Sequence, residues 1–389
     1  MAAQVSIIGI GMTEMSTRDR SVNALAVEAV EEALHDAGLA PGQVGLVVFA
    51  NSLGGRLSDQ GCIRGQAWLK DAGLSGAGVV NVDNSCASGS SALHMAFLAV
   101  HAGESPVLAV GVEKMWTGDR EATIGAIEDA LPADERPDLR DRLAVEASGS
   151  VFMGFNSMWA KEQIASRGTT LDEMAATASK AYALGASNPL AQHRKPLGAD
   201  EILASRVIAP PLTRLMCSSF TDGAAAVVVA GGKVAGAPRI RESVLRSGSG
   251  ELEYHARMAQ VLSESWNLAG MEPGDVDVLE VHDATSAEEL YALEALGFFD
   301  TGMAGAATAR GETLPAATRT CVNPSGGLVA RGHALAATGI CQVVELAIQL
   351  RGHAGERQQP GARIGAAVNT GGIVRGDAAT VGIHVLERG

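Results

Sequence analysis

Apolar residues along this 389-residue chain recur with two different periods. Helical spacing over residues 22–34 and 254–268 predicts amphipathic helices, and short apolar runs over residues 45–50 and 277–281 predict buried strands that follow them. Because helix and strand alternate in both parts of the chain, the pattern predicts an α/β fold with a mainly parallel sheet covered by helices.

The segment that joins helix to strand occurs twice. Residues 37–44 read Ala-Gly-Leu-Ala-Pro-Gly-Gln-Val, and residues 269–276, 232 positions later, read Ala-Gly-Met-Glu-Pro-Gly-Asp-Val. A repeat of such long period indicates two similar halves. We predict an N-terminal half at residues 1–235 and a C-terminal half at residues 236–389, with the ligand bound where the halves meet.

Residues 117–205 interrupt the alternation and are predicted to form an inserted loop domain. Within it, residues 128–142 are rich in charge and contain two prolines, which is typical of a solvated excursion. Farther on, Arg194 and Lys195 lie in a compact basic turn and are candidates for contacts with phosphate groups. A solvated surface loop explains this pair equally well.

Cys86 is the candidate nucleophile. Residues 84–89 read Asn-Ser-Cys-Ala-Ser-Gly, after a strand-like run at 79–82 and before a run of helical spacing. Unpaired N–H groups and the dipole at a helix N-terminus stabilise a thiolate there, and small neighbours leave room for a substrate. The alternative, a buried inert cysteine, is the commoner fate of a free thiol.

A glycine-rich loop supplies a partner for this thiol. Residues 323–339 read Asn-Pro-Ser-Gly-Gly-Leu-Val-Ala-Arg-Gly-His-Ala-Leu-Ala-Ala-Thr-Gly and precede a helical run over residues 340–350. The glycines permit close backbone approach. If His333 lies near Cys86, its neutral imidazole can accept the thiol proton or stabilise the thiolate; a purely structural histidine is the alternative.

These two segments resemble the nucleophile and histidine motifs of the thiolase superfamily, and the resemblance runs along nearly the whole chain. Residues 281–285, Val-His-Asp-Ala-Thr, resemble the His-Asp-Cys-Phe stretch of the sterol-carrier-protein type, and residues 210–213 and 219–226 fit the same branch. The resemblance implies duplicated α/β halves in a layered αβαβα core. It also implies that the insertion covers the pantetheine and nucleotide of an acyl-CoA, which is a substrate and not a bound cofactor.

The resemblance also assigns roles within the site. It implies that acyl-CoA acylates Cys86 and that the N–H groups of Cys86 and Gly371 hold the thioester oxyanion. Asn323 and Asn369 are the residues that it gives for shaping the site.

The chain departs from the family at both positions where a second catalytic cysteine occurs. Classical thiolases carry it in a C-terminal Cys-x-Gly, where this chain has Asn369, and the sterol-carrier type has it where this chain has Ala284. Acylation needs only the first thiol, but deprotonation of an acetyl methyl group loses its usual base. Ordinary β-oxidation thiolysis is therefore not expected.

Three reaction classes stay open. We favour a thiolase-like acyltransferase that passes the acyl group from Cys86 to a carbon or another nucleophile. The second is a biosynthetic acetoacetyl-CoA-type thiolase that uses His282 as acid and base, as archaeal-type relatives do. The third is an aldolase-type lyase that works with a small OB-fold partner, and retention of the cysteine counts against it. A non-catalytic lipid-binding role is the remaining alternative.

Composition and charge limit the kinds of partner that this protein is expected to bind. A net charge of −14 argues against nucleic acid, and the absence of an apolar run of 18 residues predicts no membrane span. The residues at the N-terminus resemble a first strand, so no signal peptide is expected. We expect a homodimer formed through the N-terminal half, with residues 107–112 in its shared core.

Cysteine usage points to a reducing compartment. The five cysteines show neither metal-ligand nor disulfide spacing, so we predict a cytoplasmic protein without a metal site. The four cysteines other than Cys86 are interpreted as packing residues; they are Cys62, Cys217, Cys321 and Cys341.

Overall fold

Two equivalent sets of five strands meet in one sheet. A computed structural model of the chain describes residues 4–145, 149–316 and 320–389. The strands are β1 (Val5–Met12), β2 (Leu46–Ala50), β3 (Gly78–Val82), β4 (Val107–Glu113), β5 (Val207–Ala209), β6 (Leu212–Thr213), β7 (Gly223–Gly231), β8 (Arg239–Arg246), β9 (Val278–Val281), β10 (Cys321–Val322), β11 (Ile364–Val374) and β12 (Asp377–Glu387).

The helices cover this sheet and fill the insertion. They are α1 (Val22–Ala37), α2 (Gly54–Leu57), α3 (Arg64–Trp68), α4 (Ser88–His101), α5 (Arg120–Ile127), α6 (Arg136–Arg142), α7 (Val151–Glu162), α8 (Leu171–Ala186), α9 (Ala199–Leu203), α10 (Tyr254–Ala269), α11 (Ser286–Ala295), α12 (Ala304–Ala309), α13 (Gly327–Ala330) and α14 (Thr338–Arg351).

The strand order repeats in the two halves. It runs β10-β9-β11-β12-β8 in the C-terminal half and, after the β8–β1 junction, β1-β7-β4-β2-β3 in the N-terminal half. Counted from its own outer edge, each half therefore has the order third, second, fourth, fifth, first. The repeat read from the sequence is thus a duplication of the whole strand arrangement. The expected boundary at residue 235 lies in the loop between β7 and β8.

The sheet is mixed, and the prediction of a mainly parallel sheet was wrong. Strands β2 and β9, each next to an outer edge of the sheet, pair in parallel with both of their neighbours, but β7 and β12 run antiparallel to theirs. The β11–β12 turn explains the direction of β12. Arg375 and Gly376 both have positive φ, which makes a two-residue hairpin, and such a connection requires antiparallel pairing.

The repeated segment forms a helix end in each half. Helix α1 ends at Gly38 (φ 66°) and α10 ends at Gly270 (φ 62°), so each glycine takes the left-handed conformation that closes a helix. A proline then starts a short 3-10 turn before β2 and before β9. The repeated Ala-Gly…Pro-Gly segment therefore ends a helix and begins the following turn in the same way in each half.

The layers follow from the buried faces. Helices α4 and α14 pack between the two halves of the sheet, α1 covers the outer face of the N-terminal half, and α10 and α11 cover that of the C-terminal half. The two central helices cross at small residues. A β-carbon on Gly89 would lie 2.7 Å from the Ala336 oxygen, and one on Gly339 would lie 2.6 Å from the Ser90 nitrogen. This is the αβαβα arrangement expected from the sequence.

The excursion between β4 and β7 is more ordered than its composition predicts. Residues 128–142, interpreted above as solvated, contain a 3-10 turn and helix α6. Glu128 is buried because its carboxylate accepts hydrogen bonds from Arg140 and from the Val151 N–H, so the charge is used internally. Residues 146–148 of the predicted insertion lie outside the described residues.

The structure also bears on the expectations for the four packing cysteines and for membrane spans. Cys62 is exposed, so its interpretation as a packing residue was wrong: it lies in the irregular segment between α2 and α3, where no element covers it. The other three cysteines read that way are buried. Within the described ranges, no helix combines the length and hydropathy needed to cross a bilayer.

Candidate active site

The turn that carries Cys86 is fixed by its neighbours. It is a 3-10 turn between β3 and α4, and Ser85 adopts a positive φ of 52°. The Ser88 hydroxyl donates to the Ser85 carbonyl (2.6 Å) and accepts from the Asn84 N–H (2.8 Å), which stabilises this uncommon conformation. Cys86 is half-buried and lies at the N-terminal end of the central helix, as predicted.

Two histidines of the C-terminal half meet Cys86. His282 follows β9, and His333 lies in the glycine-rich loop before α14. The Cys86 Sγ and one ring nitrogen from each imidazole all lie within 4.8 Å of one another, and the two rings meet edge to face with centroids 5.2 Å apart. Sequence positions far apart are thus assembled at the seam between the halves. A thiol and two imidazoles are also donors that suit Zn²⁺, but the chemistry below requires no metal.

His282 is oriented by a carboxylate. Its Nδ1 lies 3.3 Å from Oε1 of Glu288, and its Nε2 has no hydrogen-bond partner among the described residues. Burial alone would lower the pKa of His282, but the Glu288 carboxylate and the Cys86 sulfur outweigh burial and raise it to about 10. His282 is therefore an imidazolium near neutral pH.

His333 is held in the opposite charge state. Burial, the neighbouring His282 charge and Arg331 lower its pKa well below the usual value. The Thr338 hydroxyl donates to the Ala334 carbonyl and accepts from His333 Nδ1 (2.8 Å). Because Nδ1 then carries the proton, Nε2 presents its lone pair, and a neutral imidazole of this kind is a base.

A cavity of about 440 Å³ opens onto Cys86. The polar groups around the reacting centre are those just described together with Tyr254, whose hydroxyl bonds to Glu288 and to Thr370. Cys217 also lines the cavity, but its thiol donates to the Thr213 carbonyl, and burial raises its pKa to about 12. Most of the wall is apolar and includes Trp116, Ile124, Ile127, Phe152, Trp159, Phe220 and Ile373.

Gly371 lies against the nucleophile turn. A β-carbon there would stand 2.1 Å from the Asn84 carbonyl oxygen and 2.6 Å from the Ala87 nitrogen, so only glycine fits. The β11 backbone thus passes directly beside the nucleophile turn, although Gly371 itself does not line the cavity.

The two asparagines expected to shape the site lie behind it. Asn323 accepts from the Val281 N–H (2.9 Å) and donates to Glu289, so it fixes the end of β9. Asn369 accepts from the Ser90 hydroxyl (3.4 Å) beneath helix α4. Neither residue lines the cavity.

The basic pair lies apart from the cavity wall. Arg194 is 47% exposed and pairs with Glu14 (3.2 Å), whereas Lys195 is 80% exposed and stands 4.0 Å from Glu201. The arginines that do line the cavity are exposed and come from segments that sequence analysis did not single out: Arg120 at the start of α5, and Arg206 and Arg214 on the β5–β6 hairpin.

Glu288 is the other residue that sequence analysis missed. It stands three residues after Thr285, whose hydroxyl accepts from the Glu288 N–H at the start of α11. A Thr-x-x-Glu pattern signals a helix N-terminus and could have located this carboxylate one turn from His282.

The fold and the Cys–His–His site define a thiolase. The family model for the thiolase N-terminal domain matches residues 5–233, and the model for a thiolase C-terminal domain-like region matches residues 252–384. The chain belongs to the thiolase family and is an acyltransferase enzyme.

Curated relatives include a sterol carrier protein and an acetyl-CoA acetyltransferase. Sterol carrier protein 2 of Bos taurus is 32% identical over 389 residues, covering 95% of this chain and 70% of the relative. The acetyl-CoA acetyltransferase of Methanothermobacter thermautotrophicus is 32% identical over 403 residues, covering 99% of each chain.

Solved structures share the fold. An Ltp2-ChsH2(DUF35) aldolase matches with a TM-score of 0.80 at 21% identity, over 99% of this chain and 98% of that one. Human mitochondrial 3-ketoacyl-CoA thiolase matches with a TM-score of 0.74 at 14% identity, over 100% and 99% of the two chains.

Proposed function

We propose that this enzyme forms an acyl thioester on Cys86 from acyl-CoA and passes the acyl group to a carbon or another nucleophile. The observation that carries the proposal is the pairing of one thiol with two buried imidazoles of opposite charge state at the end of an apolar cavity. A charged imidazole beside the sulfur favours the thiolate, and a neutral one serves as a base.

The two imidazoles divide the proton transfers. The Cys86 sulfur attacks the thioester carbonyl carbon, the bond to the CoA sulfur breaks, and His282 gives its proton to that leaving sulfur. The acceptor then attacks the acyl carbonyl, His333 Nε2 takes the acceptor's proton, and the bond to the Cys86 sulfur breaks to release the thiolate. The proton on His333 passes to His282, whose ring lies beside it, and this restores the starting charge states. N–H groups of Cys86 and Gly371 would hold the oxyanion in both steps. In this proposal His282 takes the activating role that sequence analysis assigned to His333, and His333 acts as the base in the second step.

Intact-protein mass spectrometry with a panel of acyl-CoAs tests this function. We expect a mass increase equal to the acyl group, with CoA released and the adduct on the peptide that contains Cys86. Cys217→Ala is the matched control because it removes the other thiol of the cavity, and this variant should still be acylated. An enzyme that turns over acyl-CoA without any adduct would contradict the proposal.

A second candidate is a biosynthetic thiolase in which His282 moves the α-proton. The observation that favours it is the His282 imidazole, which shares the Glu288 carboxylate with the Ala284 N–H, at the position where the sterol-carrier type carries a thiol. This enzyme would exchange the α-protons of acetyl-CoA with deuterium from heavy water, and His282→Ala would stop the exchange. Acylation without exchange supports simple acyl transfer; robust exchange, or acetoacetyl-CoA made from acetyl-CoA alone, supports the thiolase.

An aldolase-type lyase with an OB-fold partner is the third reaction class. It is supported by the fold likeness to the Ltp2-ChsH2(DUF35) aldolase. A lyase of this kind would cleave a carbon–carbon bond without acylating Cys86, so the mass experiment separates it from the first two.

We further propose that Arg206 and Arg214 contact the CoA phosphates. Both guanidinium groups are exposed at the cavity, and a cationic rim attracts the acidic nucleotide despite the negative net charge. Arg194 and Lys195 are the competing candidates, and they are already paired with carboxylates.

A homodimer through the N-terminal half is also proposed. Strand β3 is the edge of the sheet, and Val80 on it is 44% exposed. Met95 and Leu98 of α4 are 42% and 45% exposed. The run at residues 107–112 has no part in this face, because β4 is buried between β2 and β7. Light scattering should give twice the chain mass, and a single-chain mass at micromolar concentration would contradict the dimer.

A further inference from the structure

One buried carboxylate contacts several parts of the catalytic centre. Glu288, in the first turn of α11, is buried. Its Oε1 lies 3.3 Å from His282 Nδ1 and 3.2 Å from the Tyr254 hydroxyl, and its Oε2 accepts the Ala284 N–H at 3.2 Å. A carboxylate that accepts from a ring nitrogen, a hydroxyl and a backbone amide at once has a fixed orientation.

That orientation determines which way His282 points. Since Nδ1–H donates to Glu288, the ring is held with Nε2 free, and Nε2 is a buried atom without another hydrogen-bond partner in the described part of the chain. The Cys86 sulfur and the second imidazole lie within 4.8 Å of this histidine. The carboxylate therefore orients the imidazole, and the imidazole lies within reach of the thiol.

The carboxylate also stands where the chain departs from its relatives. Ala284 carries only a methyl group at the position where a second thiol would be, and its backbone N–H bonds to Glu288. The same carboxylate lines the cavity. The acid–base group of the site is therefore anchored by Glu288 in the space beside the missing thiol.

We propose that Glu288 is a positioning residue for the Cys86–His282 pair: its carboxylate fixes the ring orientation and the tautomer of His282 beside the sulfur. The inference rests on the proposed function, because it gives Glu288 a role in the acyl transfer proposed there. The titratable groups that face His282 are Glu288, Tyr254, Cys86 and His333.

The charges around His282 agree with this assignment. Of the groups that act on the ring, Glu288 contributes the largest favourable interaction with the imidazolium, against burial. The Tyr254 pKa is raised well above its usual value, first by burial and then by Glu288, so the tyrosine stays a neutral donor to the carboxylate. Removing the negative charge would leave His282 with burial opposing its proton and only the Cys86 sulfur favouring it.

The test is the pH profile of Cys86 alkylation by iodoacetamide in Glu288→Gln, followed by peptide mass spectrometry. Gln keeps the size of the side chain but not its charge. We expect alkylation at pH 7 to slow by about 10–100-fold, the loss expected for one charge-assisted hydrogen bond, with the midpoint of the profile moved to higher pH. The rate of Cys86 acylation by acyl-CoA should fall in parallel.

Glu294→Gln is the matched control. Glu294 is a buried carboxylate of the same helix, but it pairs with Arg167 (3.0 Å) and does not line the cavity. This variant should lose stability without moving the alkylation profile. A profile in Glu288→Gln that matches the parent's would overturn the inference.

Two further outcomes distinguish a failure of this inference from a failure of the proposed function or of folding. If the parent is never acylated, the proposed function fails, yet the alkylation profile still decides whether Glu288 positions the pair. If Glu288→Gln does not fold, Glu288→Asp is measured, because its shorter side chain withdraws the charge from Nδ1. A midpoint shifted in the same direction then supports the inference, and an unmoved midpoint contradicts it.

Discussion

The turns that precede the two central helices are equivalent in position and different in chemistry. In the N-terminal half, a 3-10 turn with Cys86 at its centre leads into α4; in the C-terminal half, a 3-10 turn with Ala336 at its centre leads into α14. Both turns lie at the inner seam, but Ala336 is fully buried against α4 and Cys86 opens onto the cavity. In the proposed mechanism, the N-terminal half carries the nucleophile and the C-terminal half supplies the acid and the base.

The largest effect is expected from removing the nucleophile. Cys86→Ala should abolish acyl-enzyme formation while the unfolding midpoint stays close to the parent's, because a half-buried thiol among small residues contributes little packing. Moving the thiol to the equivalent turn, with Cys86→Ala and Ala336→Cys combined, should not restore an adduct. Acylation at residue 336 would show that the two turns are chemically interchangeable.

The second effect concerns the base supplied by the C-terminal half. His333→Asn should slow transfer from Cys86 to the acceptor by about 10²–10⁴, the range for a positioned general base. Single-turnover measurements at several pH values separate this step from acylation, which relies more on His282. Unchanged transfer near neutral pH would make His333 a structural residue.

The third prediction tests how far the equivalence extends to stability. Gly89→Ala and Gly339→Ala each put a β-carbon against the opposite central helix, so each should lower the free energy of unfolding by about 1–3 kcal/mol. Urea denaturation measures both. Gly89 is three residues from Cys86, so only its variant should also reduce acylation. Equal losses of activity would mean that the crossing as a whole, and not the nucleophile turn, limits the reaction.

The smallest effect is expected at the rim of the cavity. Arg206→Ala and Arg214→Ala should raise the KM for acyl-CoA by about tenfold each and leave kcat nearly unchanged, because phosphate contacts far from the thioester bind ground state and transition state alike. The paired control is Arg194→Ala with Lys195→Ala. If the control raises KM more than the hairpin variants do, the basic turn is the phosphate site.

The sequence was sufficient to predict the duplication, the layers and the three residues that meet where the halves join, Cys86, His282 and His333. Capping glycines, helical period and the small residues around Cys86 are local signals, which can be recognised from the sequence alone. The pairing direction of β7 and β12 was not accessible in the same way, because a short apolar run has no direction. The hairpin at Arg375 and Gly376 was the available signal.

The remainder of the site depended on contacts between distant segments. Glu288 looks like an ordinary helix-start residue until its carboxylate is found beside His282. The basic turn is easy to recognise in the sequence because Arg194 and Lys195 are adjacent. Arg206 and Arg214 are eight residues apart, and they come together at the cavity only because β5 and β6 pair. Opposite charge states for two neighbouring imidazoles likewise follow from their surroundings and not from residue type.

The crossing of the two central helices also bears on how substrate reaches Cys86. Since Gly89 packs closely against the Ala336 carbonyl, a hinge motion between the halves would have to break the packing of the middle layer. Any gating of the cavity must then come from the covering elements, the β5–β6 hairpin and helices α5 and α7, which border it from one side. We expect the amides of the middle layer to exchange with solvent only on global unfolding. The amides of the covering elements should exchange through local opening, which requires much less free energy.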